Sequence, residues 1–255
     1  MPADIVLIPC LSDNYAVLLA DEESGTVALV DAPEAEPILA ALDARGWTLT
    51  HVLITHKHPD HINGLPGLKR RFAPTVFGPA AEAAAIPGLD VTLSEGDVAE
   101  VGPWSFEVIA TPGHTKGHIV YHEPTERWLF AGDTLFVMGC GRLFEDMPQA
   151  MWRSLSKLAA LPNETRVWCG HEYTLSNARF CAGVLPDDPA IGERLKRVEA
   201  DRAAGRATVP STIGAEKATN VFLRAAESKV AAAVGLEGDD PAATFAELRE
   251  RKNRG

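Results

Sequence analysis

A layered α/β body followed by a smaller helical segment is the fold class that this 255-residue sequence predicts. Three observations predict it. Up to about residue 170, short apolar or β-branched runs alternate with helical stripes. After Cys169 those runs give way to helix-forming segments joined by polar turns. Four loops rich in His and Asp each follow an apolar run, which places the polar chemistry at strand ends. The hydrophobic content of 46% suffices for one sizeable core, or a core with a small appendage.

Strands are expected at Ile5–Ile8, Tyr15–Ala20, Thr26–Val30, Thr50–Thr55, Glu107–Ala110, Ile119–His122 and Arg127–Ala131, each bounded by Gly, Pro, Asp or Asn. Ile38, Leu39 and Leu42 make one apolar helical stripe; Trp152, Leu155 and Leu158 make another. Strands and helices at this density predict sheets whose faces are covered by helices. Asp188-Pro189 opens a later helix, with Asp as N-cap and Pro in the first turn, carrying Ile191, Leu195 and Val198. Asp240-Pro241 opens the last helix in the same way. There Phe245, Leu248, Arg249 and Lys252 follow i, i+3, i+4, i+7, so the two cations flank the face expected to dock. No internal repeat or low-complexity linker is visible. The expected division is a layered α/β domain over residues 1–172 and a smaller helical domain over 173–255.

The net charge of −11 argues against nucleic acid or an anionic membrane as partner. It leaves small anions open, because screening over a Debye length of about 8 Å lets a local basic cluster dominate within a pocket. No run approaches the roughly 18 apolar residues of a membrane-spanning helix. The opening Met1-Pro2-Ala3-Asp4 lacks the basic region of a secretory signal. Cys10, Cys140, Cys169 and Cys181 form no CxxC pair and read as reduced thiols. A cytoplasmic monomer acting on a small molecule is the expectation.

The segment Thr55-His56-Lys57-His58-Pro59-Asp60-His61 packs three imidazoles and a carboxylate into six positions. On an extended chain His56, His58 and Asp60 would leave from one side and His61 from another, which serves two neighbouring metal ions better than one. Imidazole and carboxylate ligands without cysteine suit zinc, iron or manganese, and paired metals activate water. A merely polar, His-rich loop is the bland alternative. Further ligands are offered by His114 in Thr111-Pro112-Gly113-His114-Thr115, Asp133 in Ala131-Gly132-Asp133 and His171 in Cys169-Gly170-His171. In each, a strand, a glycine and a ligand recur, and glycine permits the sharp turn at the strand end. Of the other histidines, His51 and His122 are expected to pack or face solvent, and His118 to be a hydrogen-bonded strand residue.

HxHxDH, the PGHT loop, the GD turn and the late GHE together resemble the metallo-β-lactamase superfamily over most of residues 5–171. The resemblance implies a four-layered αβ/βα sandwich with metals at the rim between two sheets. It implies His56, His58 and His114 on one metal, Asp60, His61 and His171 on a second, and Asp133 bridging both. Asp31, at the end of Thr26–Val30, matches an acidic position that orients a metal-bound histidine from behind; an ordinary turn Asp is the alternative. Two divalent ions, zinc first and iron or manganese as alternatives, carry four positive charges against two negative from Asp60 and Asp133. A bridging hydroxide held by that pair would leave the cluster cationic and serve as nucleophile.

Three segments resemble the glyoxalase II (hydroxyacylglutathione hydrolase) family: Ile8-Pro9-Cys10-Leu11-Ser12-Asp13-Asn14-Tyr15, Gly139-Cys140-Gly141-Arg142-Leu143-Phe144-Glu145, and Gly170-His171-Glu172-Tyr173-Thr174. Ala218-Thr219-Asn220-Val221-Phe222-Leu223-Arg224 and the closing basic helix extend the match to nearly the whole chain. The family implies glutathione contacts from Arg142, Phe144, Tyr173, Arg249 and Lys252, with a surface-lying basic pair as the alternative for the last two. Phe144 stands where a tyrosine is common, Arg142 where some relatives have lysine, and Val221 where proline is frequent. The implied reaction is hydrolysis of S-(2-hydroxyacyl)glutathiones, typically S-D-lactoylglutathione, to the hydroxy acid and glutathione, the second step of methylglyoxal detoxification. A persulfide dioxygenase of the same superfamily is the nearest rival. Another metal-dependent thioesterase, lactonase or lactamase and a non-catalytic metal-binding module are the more distant ones.

Overall fold

The computed structural model describes residues 3–237 and 240–254; Met1 and Pro2 of the opening segment lie outside them. The chain divides into two compact units, residues 1–110 with 117–132, and residues 111–116 with 133–255.

The first unit holds two sheets. One runs β1 (Asp4–Cys10), β2 (Asn14–Asp21), β3 (Thr26–Val30), β4 (His51–Leu53), β5 (Thr75–Pro79), β6 (Val91–Leu93). β1, β2 and β3 pair antiparallel, with Ile8 opposite Ala16 and Leu18 opposite Leu29. From β3 to β6 the pairs are parallel. Parallel neighbours need crossovers: α1 (Ala35–Arg45) joins β3 to β4, α2 (Pro59–Ile62) and α3 (Leu65–Phe72) join β4 to β5, and a 3-10 turn over Ala80–Ala85 joins β5 to β6. Ile38 and Leu42 of α1 and Leu65 and Leu68 of α3 are buried with Leu18, Leu29, Val52 and Val76 in one core. β3 is buried along its whole length, which is why it reads as an unbroken apolar run.

The second sheet of this unit includes β7 (Val98–Val101), β8 (Trp104–Ala110), β9 (Ile119–Glu123) and β10 (Trp128–Gly132), paired antiparallel in succession. Trp104, Phe106 and Val108 of β8 point inward while Ser105 and Glu107 face solvent. Phe106 meets Tyr121 and Phe130 edge-on at 6.5 and 6.0 Å. Two hydrogen bonds tie β9 to the segment following β4: the Tyr121 hydroxyl donates to the Ile54 carbonyl (2.8 Å) and the Ile119 N–H to the Thr55 carbonyl (3.0 Å). Burial, and then the negative charge of Asp31, push the Tyr121 phenol well above its usual range, so it stays a donor.

The second unit comprises β11 (Leu135–Phe136), β12 (Gly139–Cys140), α4 (Pro148–Ala159), β13 (Arg166–Cys169), α5 (Thr174–Val184), α6 (Pro189–Ala203), β14 (Ser211–Thr212), α7 (Ile213–Thr219), α8 (Ser228–Ala233) and α9 (Pro241–Arg254). Both expected caps are present: the Asp188 carboxylate accepts from the Ala190 and Ile191 N–H groups, and that of Asp240 from Ala242 and Ala243. Phe222 lies between Phe180 (5.5 Å, stacked) and Phe245 (6.0 Å, edge-on). Arg194 and Glu216 form a buried ion pair at 2.6 Å. The segment after residue 173 is not purely helical, because β14 pairs antiparallel with β13.

Some expectations change. The Thr50–Thr55 strand contracts to His51–Leu53, and beyond its end the Thr55 N–H turns to the Asp31 carboxylate. β5, β6 and β7 escape sequence analysis: β5 ends in Gly78-Pro79, and the other two have only 3 and 4 residues. Among the described residues no helix is long and apolar enough to cross a membrane.

Asp188 yields a pH prediction. Burial raises its pKa, but bonds from Arg224, the Ile191 N–H and Lys229 overcome this and hold the carboxyl at about 2. The folded value lies below the unfolded value of about 3.9. The stabilisation is therefore complete above pH 4 and is lost as pH falls through 2. Asp188→Asn keeps the cap and removes the charge, and should cost about 1–2 kcal/mol at neutral pH. In urea titrations that gap should shrink steadily below pH 4; a gap independent of pH would contradict the assignment.

Candidate metal centre

In the first unit the donors come off the carboxyl ends of adjacent parallel strands, where open α/β sheets place their ligand sites. Asp31 follows β3, Thr55, His56 and His58 follow β4, and Glu82 follows β5. His56 and His58 stand side by side with Nε2 and Nδ1 3.1 Å apart. The extended chain ends there. His58 is the N-cap of α2 and Pro59 its first residue, so Asp60 and His61 leave from a helical turn and not from the extended run expected for Asp60.

Asp31 is more than a turn residue, although its φ of 55° is in the left-handed region. Its carboxylate accepts from the Thr55 N–H (2.9 Å) and hydroxyl (2.9 Å) and from His61 Nδ1 (2.8 Å). With its proton given to Asp31, the Thr55 hydroxyl accepts from His56 Nδ1 at 3.0 Å. Both rings therefore carry their proton on Nδ1 and their lone pair on Nε2. Asn14 donates to the Asp60 carboxylate at 3.1 Å.

Three further residues shape this end of the unit, and of these only Glu82 had no place in the sequence reading. Glu82 is buried and accepts from the Lys57 N–H (2.7 Å), between the two histidines, and from the Gly117 N–H (3.1 Å). His118 stands one residue before β9 rather than in a strand, and stacks on His56 at 4.8 Å. Gly132 (φ 47°) lets Thr55 and His118 approach: a Cβ there would lie 2.6 Å from the Thr55 hydroxyl and 2.8 Å from His118 Nε2. Glu82 carries no signal beyond an Ala-rich stretch. His51 and His122 keep apart, on Thr50 (2.8 Å) and Glu107 (3.1 Å).

In the second unit Asp133 Oδ2 lies 3.3 Å from His114 Nε2 and 3.3 Å from His171 Nε2, and all three side chains are buried. His114 Nδ1 donates to the Arg142 carbonyl at 2.8 Å, which again leaves the lone pair on Nε2. Gly141 makes this possible, since a Cβ there would come within 2.0 Å of the Asp133 carbonyl and 3.0 Å of His114 Nδ1.

The residues expected to meet substrate also lie in this unit. Tyr173 stacks on His171 (4.6 Å, 6°), and Phe144 meets His114 edge-on at 5.2 Å. Arg142 is exposed. Arg249 is buried, not a surface decoration, and donates to the Cys140 carbonyl at 3.0 Å. Lys252 donates to the Ser176 hydroxyl at 2.5 Å. Burial, then the charges of Arg249 and Arg142, lower the Lys252 pKa, so the three cations form one electropositive patch.

The donor chemistry fits a divalent cation. The edge of a tetrahedral zinc site with ligands at about 2.0–2.1 Å is about 3.3 Å, against the 3.1, 3.3 and 3.3 Å separations within the two units. His56, His58, Asp60, His61, His114, Asp133 and His171 are also the described residues that fall into groups of His and carboxylate side chains able to hold a metal ion. The four cysteines are free and buried. Burial pushes Cys10, Cys169 and Cys181 up to about 12, and Cys140 upward as well, so none supplies a thiolate at neutral pH.

Residues 12–171 match the family model of the metallo-beta-lactamase superfamily, and residues 172–255 match that of the hydroxyacylglutathione hydrolase C-terminus. A protein from Ruegeria pomeroyi named hydroxyacylglutathione hydrolase is 53% identical, covering 99% of each chain. One of the same name from Rhizobium meliloti is 50% identical over 98% of each. The chain belongs to the hydroxyacylglutathione hydrolase family. Its fold is the metallo-β-lactamase fold with a helical C-terminal segment. Among solved structures, ETHE1 from Myxococcus xanthus is similar with a TM-score of 0.70 and 27% identity, covering 99% of this chain and 92% of that one. TTHA1623 in a di-iron-bound form follows at 0.61 and 25%, covering 86% and 99%. The family's His and Asp donors support a divalent metal here.

Asp31→Asn offers His61 and Thr55 one acceptor oxygen and one competing donor. It should weaken metal binding about 10- to 100-fold, measured by competition with a chelator; an unaltered affinity would refute the orienting role.

Proposed function

We propose that this chain hydrolyses S-D-lactoylglutathione and related S-(2-hydroxyacyl)glutathiones to the hydroxy acid and glutathione, in the second step of methylglyoxal detoxification. One observation carries the reading: a His and Asp donor set with proton positions fixed for cation binding, in a chain about half identical over its full length to hydroxyacylglutathione hydrolases. His56, His58 and His114 would hold one ion, Asp60, His61 and His171 a second, with Asp133 shared. Two ions are supported by the seven donors and by the di-iron form of a similar structure. Zinc is the first choice for such a site. A divalent ion bound there supplies Lewis acidity and lowers the pKa of coordinated water to about 7.

The chain's own residues do the rest. Asp31, the Thr55 hydroxyl and the Arg142 carbonyl hold the Nδ1 protons of His61, His56 and His114. Asn14 fixes Asp60. Phe144 and Tyr173, 62% and 39% exposed, would offer apolar ring faces to the substrate. Arg142, Arg249 and Lys252 supply positive charge for the two carboxylates of glutathione. The departing thiolate, with a conjugate-acid pKa near about 8.5, leaves without a strong general acid.

Residues 1–172 would form the catalytic domain and 173–255 the substrate-binding domain of a cytoplasmic monomer. The net charge of −11 supports a small-molecule partner over nucleic acid or an anionic membrane.

Hydrolysis of S-D-lactoylglutathione, assayed with metal analysis of the same preparation, tests the reading. Oxygen uptake on glutathione persulfide without thioester cleavage would replace it. His58→Ala should lower kcat/KM at least about 100-fold and reduce bound metal; retained activity would remove His58 from the ligands. Lys252→Ala should raise KM several-fold with little change in kcat, and an unchanged KM would separate Lys252 from the substrate.

A further inference from the structure

The hairpin formed by β11 and β12 begins two residues after Asp133 and ends two residues before Arg142. Phe136, Val137, Met138, Gly139 and Cys140 are all buried. The hairpin has only two rungs, Leu135 opposite Cys140 and Phe136 opposite Gly139, and Met138 takes a φ of 56°. Buried peptide groups must find partners, and here they find them on helices distant in sequence. From α5, Asn177 Nδ2 donates to the Val137 carbonyl (3.1 Å) and the Cys181 thiol to the Met138 carbonyl (3.3 Å). The Met138 N–H donates to Glu216 of α7 (2.7 Å). Asn220, at the end of α7, donates to the Gly139 carbonyl (3.0 Å), and Arg249 of α9 to the Cys140 carbonyl (3.0 Å). These side chains are themselves anchored. Glu216 is fully buried and bonded to Arg194 (2.6 Å). The Arg249 guanidinium lies over the Phe222 ring at 5.2 Å, with Nε donating to Asn253 at 3.1 Å.

The shape so imposed reaches the donors directly. Gly141 donates to the Thr134 carbonyl at 3.3 Å and packs against the Asp133 carbonyl. The next carbonyl, that of Arg142, is the acceptor that keeps the His114 proton on Nδ1. A displaced hairpin moves that acceptor away from His114 and loosens the backbone of Asp133.

We propose that Arg249, with Glu216, Asn220 and Asn177, is a positioning residue: the helical segment moulds the hairpin and thereby fixes His114 and Asp133 for the cation. This deepens the function proposed above and rests on His114 and Asp133 being metal ligands. It gives Arg249 a task separate from substrate contact, because two of its three nitrogens are committed to Asn253 and Cys140.

The test compares full-length, metal-loaded wild type, Arg249→Ala, Arg249→Lys and Asn177→Ala. Amide hydrogen exchange, metal release to EDTA, and kcat and KM on S-D-lactoylglutathione are measured. In Arg249→Ala the peptide covering residues 135–142 should exchange, and the metal should leave, about tenfold faster, with kcat falling. Arg249→Lys, able to donate to one carbonyl, should recover part of both. If Arg249→Ala folds poorly, Asn177→Ala should loosen the same peptide to a smaller degree. Wild-type exchange and metal release in Arg249→Ala, with only KM raised, would overturn the proposal and leave Arg249 a substrate contact. A wild type without thioesterase activity would overturn the proposed function instead, while the exchange data still decide the hairpin.

Discussion

An imidazole gives its lone pair to a cation through one nitrogen only while its proton rests on the other. In this chain three hydrogen bonds decide where that proton rests: His56 to the Thr55 hydroxyl, His61 to the Asp31 carboxylate and His114 to the Arg142 carbonyl. The acceptors differ in chemistry, but each is held rigidly. Asp31 takes a left-handed backbone at the end of β3, Thr55 is tied to Asp31 and, through its own carbonyl, to β9, and Arg142 follows a buried hairpin. Much of the surrounding fold is explained as support for these acceptors.

Each unit solves that problem with different material. The first uses the carboxyl ends of parallel strands, where Asp31 and Glu82 flank the His-rich segment and pin its backbone. The second uses glycine. Gly141 admits a carbonyl and an imidazole at distances no side chain would allow, and helices then satisfy the peptide groups of the hairpin before it. The helical segment thus has structural duties toward the donor loop beside its cationic patch.

Electrostatics separates the global from the local. The chain is strongly acidic, yet Arg142, Arg249 and Lys252 are close enough to lower the lysine pKa. Screening damps the net charge beyond a Debye length of about 8 Å and leaves the nearby cations free to act on a bound carboxylate. The four thiols are kept protonated by burial, which withdraws them from chemistry a reduced cysteine could otherwise perform.

The amino-acid sequence by itself determined the donor types and their spacing, the main strands, the helix caps at Asp188 and Asp240, and the family, because these depend on residues close together in the chain. The docking face of α9 was legible for the same reason: Phe245, Leu248 and Arg249 share it and are buried. Only the tertiary structure decided that Asp60 leaves from a helical turn, that His118 stacks on His56, and that Glu82 holds the Lys57 amide. It alone showed that Arg249, expected as a substrate contact flanking the docking face, clamps the Cys140 carbonyl. For Lys57, His114 and Arg249 the physical reason is shared: the partner is a carbonyl or a single carboxylate reached from 25 to 109 residues away, and such partners leave no pattern of spacing or residue type to read.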